Sequence, residues 1–225
     1  MEQASHRGAS EEIPNSNTEP VTSEPIALLM GQLVQAGNLC LDKYLLVPGM
    51  ILMFSTIDIL SGLDVDFSQE RSTRTRFEKW VDRFVLNGAE LGVTATDLYG
   101  ARCGLIHEFS SSSDLVETGR ATQIYYALHE PEAAELRQAL NGAGIKALVL
   151  NVELFAQAMT SANCAFINSL EAEPRRLRWA LKQIGGQLVV LRRESGRLFR
   201  YPRDADDLRC IHEGLSGGSA DSRGN

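Results

Sequence analysis

The run GMILMFSTIDILSGL, residues 49–63, decides the fold. Apolar residues fall on nearly every side of a 3.6-residue turn, so a helix built from it has no polar face to offer solvent and belongs at the centre of a bundle. Pro48 stands just ahead, where a helix start tolerates a missing N–H. One charge, Asp58, breaks the pattern. An acid here is costly to bury alone, so it is expected at a mouth, a dimer seam or a cation. Arg102 is the first partner to name, as a buried ion pair or cap or as part of a site.

Working outward, Ile26 to Leu46 carries Ile26, Leu29, Met30, Leu33, Val34, Leu41 and Leu45 at close to helical spacing. Ser72 opens a third helix, with Phe77, Trp80, Val81, Phe84 and Val85 on one side and Arg74, Arg76, Lys79 and Asp82 on the other. Asn87-Gly88 is a stop signal. A fourth helix is expected from about Ala95 to Glu108, capped by Thr94 or Thr96 and ended by the Ser110 to Ser113 run.

The character then changes. Thr122 to Leu128 and Lys146 to Asn151 read as short strands, with a helix from Glu130 to Leu140 between them. Helical periodicity returns over Val152 to Leu170 and Pro174 to Ile184, with Gly185-Gly186 as a stop. Gln187 to Tyr201 alternates around Glu194-Ser195-Gly196 like a β-hairpin. The fold class expected is mainly α: a helical bundle with a small β decoration of short strands and a C-terminal hairpin. Residues 1–24 and 214–225 are too poor in apolar groups to repay ordering and are expected to be disordered. Residues 25–185 form one helical domain with a mid-chain extension, and 186–213 a basic hairpin segment.

At 225 residues, 44 % apolar and 23 % charged, the chain can fill one core. The longest apolar stretch, Leu45 to Leu63, is interrupted by Ser55, Thr56, Asp58 and Ser61, so no run is expected to cross a bilayer. Met1 to Glu24 lacks the pattern of a secretory signal, which makes the cytoplasm the expected location. Cys40, Cys103, Cys164 and Cys210 are scattered without metal-ligand spacing and read as free, mostly buried thiols. No metal or cofactor is expected. The net charge of −7 argues against generic nucleic-acid affinity, yet Pro174 to Arg203 holds nine Arg or Lys against Glu194 alone. Arg192, Arg193 and their neighbours either track phosphates or form solvated faces of a helix and a hairpin.

The stretch DLYGARCGLIHE, residues 97–108, carries the most chemical information. Arg102 and His107, with four residues between, resemble the R-x4-6-H signature of the HEPN superfamily on the last helix of a four-helix core, over roughly Ile26 to Leu115. The resemblance implies an antiparallel helical bundle and a metal-independent endoribonuclease, often a toxin or defence effector. It further implies a homodimer whose paired motifs share a cleft, an RNA substrate and a neutralising antitoxin-type partner. The two residue types suit that chemistry. RNA is cut when its own 2′-hydroxyl attacks the neighbouring phosphate, which needs a proton acceptor such as an imidazole, with its ordinary pKa near 6.5. It also needs a fixed cation on the developing phosphorane, which an arginine fork supplies. Where the family commonly has a polar residue after the arginine, this chain has Cys103. That departure favours the alternative, a non-catalytic RNA- or nucleotide-binding or dimerisation module. Glu108, Ser110 and Ser111 are candidate sources of polar contacts, and Asp97 reads equally well as a first-turn acid.

Five residues along an α-helix rotate a side chain to about 140° from its starting face, so Arg102 and His107 would not meet on one. Either the helix loosens before His107, or two subunits each contribute a residue. The other histidines, His6, His129 and His212, have no constellation around them, and no phosphate-loop, dinucleotide, nucleophile-elbow or zinc-protease motif occurs.

Overall fold

Helix α2 (Leu46–Leu63) is the spindle of the computed structural model, touching α1 (Glu24–Asp42), α3 (Thr73–Trp80), α7 (Val152–Glu171), α8 (Pro174–Gln187) and the end of the fourth helix. The structure describes residues 22–64, 72–108, 110, 112–187, 192–194 and 197–199, with residues 108, 185–187, 192–194 and 197–199 as backbone alone. Met50, Phe54, Ile57 and Leu60 of α2 are buried among Ile26 and Met30 of α1 and Phe155 of α7. By length and composition alone, α2 is long and apolar enough to cross a membrane, and half of it is buried in the fold. Two of the expected interruptions are bonded inside the helix, where Thr56 Oγ1 donates to the Leu52 carbonyl at 2.7 Å and Ser61 Oγ to that of Asp58 at 3.1 Å, while Asp58 keeps a charge in the run.

The other helices follow their sequence signals. Ser72 caps α3 by accepting from the Thr75 N–H. α3 runs into a π-helical turn, Val81–Val85, and ends at the Asn87-Gly88 turn, where Gly88 has φ +89. Phe84 of that turn, Trp80 and Phe166 of α7 pack against one another at ring separations of 5.2 to 6.0 Å. Helix α4 (Ala95–Cys103) starts at a capping box in which Thr94 and Asp97 each accept from the other's backbone N–H. Thr94, not Thr96, is therefore the cap. Asp97 also accepts from the Thr122 N–H at 2.6 Å and so ties α4 to the chain entering β1.

After α4 come α5 (Asp114–Glu117), β1 (Ile124–Ala127), α6 (Glu130–Gly142) and β2 (Leu148–Asn151). The two strands pair in parallel, Ile124 with Leu148 through Ala127 with Asn151, and α6 is their crossover. Asn151 ends β2 and caps α7, accepting from the Leu154 N–H. A separate antiparallel pair, β3 (Arg192–Glu194) and β4 (Arg197–Phe199), matches part of the hairpin expected over Gln187 to Tyr201, whose residues 188–191, 195–196 and 200–201 lie outside the described residues.

Mainly helical with a little sheet is what is observed, with several corrections. α8 continues through Gly185 and Gly186 to Gln187, so those glycines do not stop it. Helix α1 begins at Glu24, and Ser23, inside the stretch expected to be disordered, is buried and donates to Glu171. The remaining expectations for residues 1–21 and 200–225 lie outside the described residues. The thiols are less buried than expected: Cys164 is exposed, Cys40 and Cys103 are half-buried, and Cys210 lies outside the described residues. Arg176, counted among the solvated cations, is instead buried. Its NH2 group donates to both oxygens of the fully buried Asp64 at 2.9 Å, with Arg83 3.8 Å away. That pair bolts the end of α2 to α8.

Candidate functional site

Arg102 sits in the last turn of α4, and the helix then widens into a second π-helical turn, Gly104–Glu108. In an i→i+5 turn, residues five apart lie one above the other instead of on divergent faces. The loosening alternative is thus the one observed, within a single chain: Arg102 NH1 and His107 Nε2 are 2.8 Å apart. A guanidinium only donates, so the imidazole accepts at Nε2 and is neutral in this contact, with its proton on Nδ1.

Glycine makes the turn possible. A Cβ on Gly104 would come within 2.7 Å of the Ser110 carbonyl oxygen and closer still to that of Ser112. The serine segment folds back over the turn, and the Ser110 N–H donates to the Gly104 carbonyl at 3.1 Å.

The other side of Arg102 is held by α2. Its Nε and NH2 both donate to Asp58 Oδ2, at 3.0 and 2.8 Å. These side chains are 14 % and 23 % exposed, shielded enough for the pair to be fixed yet open at one edge. Asp58 Oδ1 is buried without a hydrogen-bond partner among the described residues. Burial works against the guanidinium's charge, but the hydrogen bonds and charge of Asp58, with a contribution from the Cys103 sulfur, outweigh it and hold Arg102 above the ordinary arginine value. Among the described residues, Asp58 and His107 engage three of the five guanidinium N–H groups.

Tyr99, one turn earlier, places its ring 5.8 Å from the guanidinium carbon, and the edge contact with Phe77, 5.3 Å between centroids, fixes the ring. Burial first, then the charge and hydrogen bond of Cys103, raise the Tyr99 phenol above its ordinary value against the pull of Arg102. Neither the resemblance nor the motif pointed to Tyr99. The available signal was its i, i+3 spacing from Arg102 on one helix face.

Of the residues expected to support the site, Asp58, Arg102, His107 and Cys103 come together. Glu108 ends the π-turn, and its side chain lies outside what is described. Ser110 serves its own loop, its Oγ accepting from the Ser112 N–H at 3.0 Å. Arg192 and Arg193 lie in β3, their side chains outside what is described. His129, expected to stand alone, pairs with Glu153 at 3.2 Å at the start of α6. Among the described residues, no three His, Cys, Asp or Glu gather as metal ligands do. Compared with protein-family models, curated proteins and solved structures, the chain matches none.

Proposed function

We propose that this chain is a metal-independent endoribonuclease of the HEPN type, acting as a homodimer, in which His107 is the base and Arg102 the phosphate stabiliser. The observation that carries the reading is the 2.8 Å contact between Arg102 and His107 across the π-turn. It supports a single centre made of a titratable ring and a fixed cation, the two groups that 2′-hydroxyl attack needs. The expected HEPN-like bundle and the toxin or defence role, with an antitoxin-type partner, belong to the same proposal.

The resting contact suggests the order of events. His107 Nε2 is occupied by Arg102 and cannot accept a second proton donor there. A phosphate arriving on the outward N–H groups of Arg102 competes for NH1 and frees the exposed His107 ring. The freed Nε2 takes the 2′-hydroxyl proton. The 2′-oxygen bonds to phosphorus and the P–O5′ bond breaks, giving a 2′,3′-cyclic phosphate and, once a proton is delivered to the leaving oxygen, a 5′-hydroxyl. Asp58 holds the fork still throughout, which favours reaction by removing reorganisation at the moment charge develops.

A second reading, a module that binds RNA or a nucleotide without cutting it, is favoured by Asp58 already balancing the Arg102 charge. Labelled RNA incubated with the protein in EDTA separates the two. The first requires cyclic phosphate ends that disappear with His107→Ala while helicity is kept. RNA retained but uncut supports the second.

A further inference from the structure

We infer that Tyr99 is the acid of the proposed cleavage, giving its phenolic proton to the departing 5′-oxygen. The inference rests on the nuclease reading and deepens it. Breaking the P–O5′ bond leaves an alkoxide unless a proton is delivered, and His107 is already engaged with the 2′-hydroxyl. Among the described side chains around Arg102, two are poor donors: Asp58 is an ion-paired carboxylate, and Cys103 carries a thiol, a weak donor.

Tyr99 satisfies the geometric needs. It shares the α4 face with Arg102, and its ring centroid lies 5.8 Å from the guanidinium carbon, which puts the ring beside the place a phosphate would take on the fork. Phe77 holds the ring by its edge contact, 5.3 Å between centroids. The phenol keeps its proton at neutral pH, being held above its ordinary value, yet it remains a far stronger acid than the alcohol that leaves.

The step balances. The 2′-hydroxyl proton goes to His107 Nε2, the Tyr99 proton goes to O5′, and the resulting phenolate and imidazolium return to neutrality by proton exchange with each other or with water. No oxidant or metal enters.

The test compares two RNA oligonucleotides, one with the ordinary scissile linkage and one with sulfur in place of its bridging 5′-oxygen. A thiolate leaves without protonation. Tyr99→Phe keeps the ring on Arg102 and Phe77 and removes only the hydroxyl. The variant is expected to cut the oxygen substrate roughly 10²-fold or more slowly than wild type, within the range for general acids. It is expected to cut the sulfur substrate at the wild-type rate. Equal slowing on both substrates, or slowing on neither, overturns the assignment. A wild-type protein that cuts neither substrate overturns the nuclease reading itself, a different and recognisable outcome.

Discussion

Gly104→Ala gives a sign test of how the site is built. In an open helix this substitution stabilises by about 0.8–1 kcal/mol, because alanine loses less backbone freedom. At residue 104 the added methyl meets the Ser110 and Ser112 carbonyl oxygens at separations below the 3.0 Å that real Cβ atoms keep. Both obstacles are backbone, so the serine segment must lift. Overpacking of this kind costs about 1–3 kcal/mol. Breaking the bond from the Ser110 N–H to the Gly104 carbonyl adds roughly 1 kcal/mol. Set against the propensity gain, the net is a loss of about 1–3 kcal/mol. With a urea slope of about 2 kcal/mol/M, the midpoint falls by roughly 0.5–1.5 M. Gly31→Ala is the control, since it lies exposed in α1 with nothing within 4 Å of a new Cβ, and it is expected to raise the midpoint. Because a shift of about 1 Å can cost 10²-fold in rate, Gly104→Ala is also expected to depress RNA cleavage far more than Gly31→Ala does. A midpoint that rises for both variants alike would refute the account of a glycine-dependent turn.

Other perturbations have defined outcomes. Arg176→Leu takes the closer cation from the buried Asp64 carboxylate, leaving Arg83 at 3.8 Å, and is expected to destabilise by at most about 3–5 kcal/mol in urea, while adding Asp64→Leu should restore much of that loss. Asp58→Ala removes two charge-assisted bonds from Arg102; a cleavage rate unchanged by it would show that the fork needs no bracing. Burial would raise the Asp97 carboxyl, but hydrogen bonds from Thr94 and Thr122 outweigh it and hold it below its ordinary value. Its contribution is therefore complete above the unfolded value of about 3.9 and is lost as the pH falls through the lower folded value. Acid titration of Asp97→Asn should show a shallower fall in stability over that window than wild type.

Much of this architecture is legible from local chemistry. The all-apolar α2, the Ser72 and Thr94 caps and the Asn87-Gly88 stop each rest on interactions spanning a few residues. The partnership of Asp58 with Arg102 was also readable, because a lone acid on an apolar helix demands a cation. The loosening before His107 stood as one of two alternatives, but the π-turn at Val81–Val85 was not legible, since a helix that admits one extra residue keeps an apolar pattern resembling the regular one. The parallel pairing of β1 with β2 and the burial of Arg176 escape for a different reason: both depend on long-range packing, and Arg176 and Asp64 are 112 residues apart. Gly185-Gly186 shows the limit of stop signals, because backbone permissiveness allows a helix to end without requiring it.

The two acids of the α2 segment, Asp58 and its C-cap Asp64, are each answered by an arginine made later, Arg102 and Arg176. During synthesis at about 5–20 residues per second, Asp64 waits on the order of 6–22 s before Arg176 has even been joined to the chain. Throughout that interval Asp64 can meet Arg83 but not its closer partner Arg176, and neither α7 nor α8 is complete to cover the most apolar helix. Chaperone demand for this chain should therefore peak mid-translation, and a nascent chain halted before residue 176 should be retained by an Hsp70-type holdase more strongly than the finished protein.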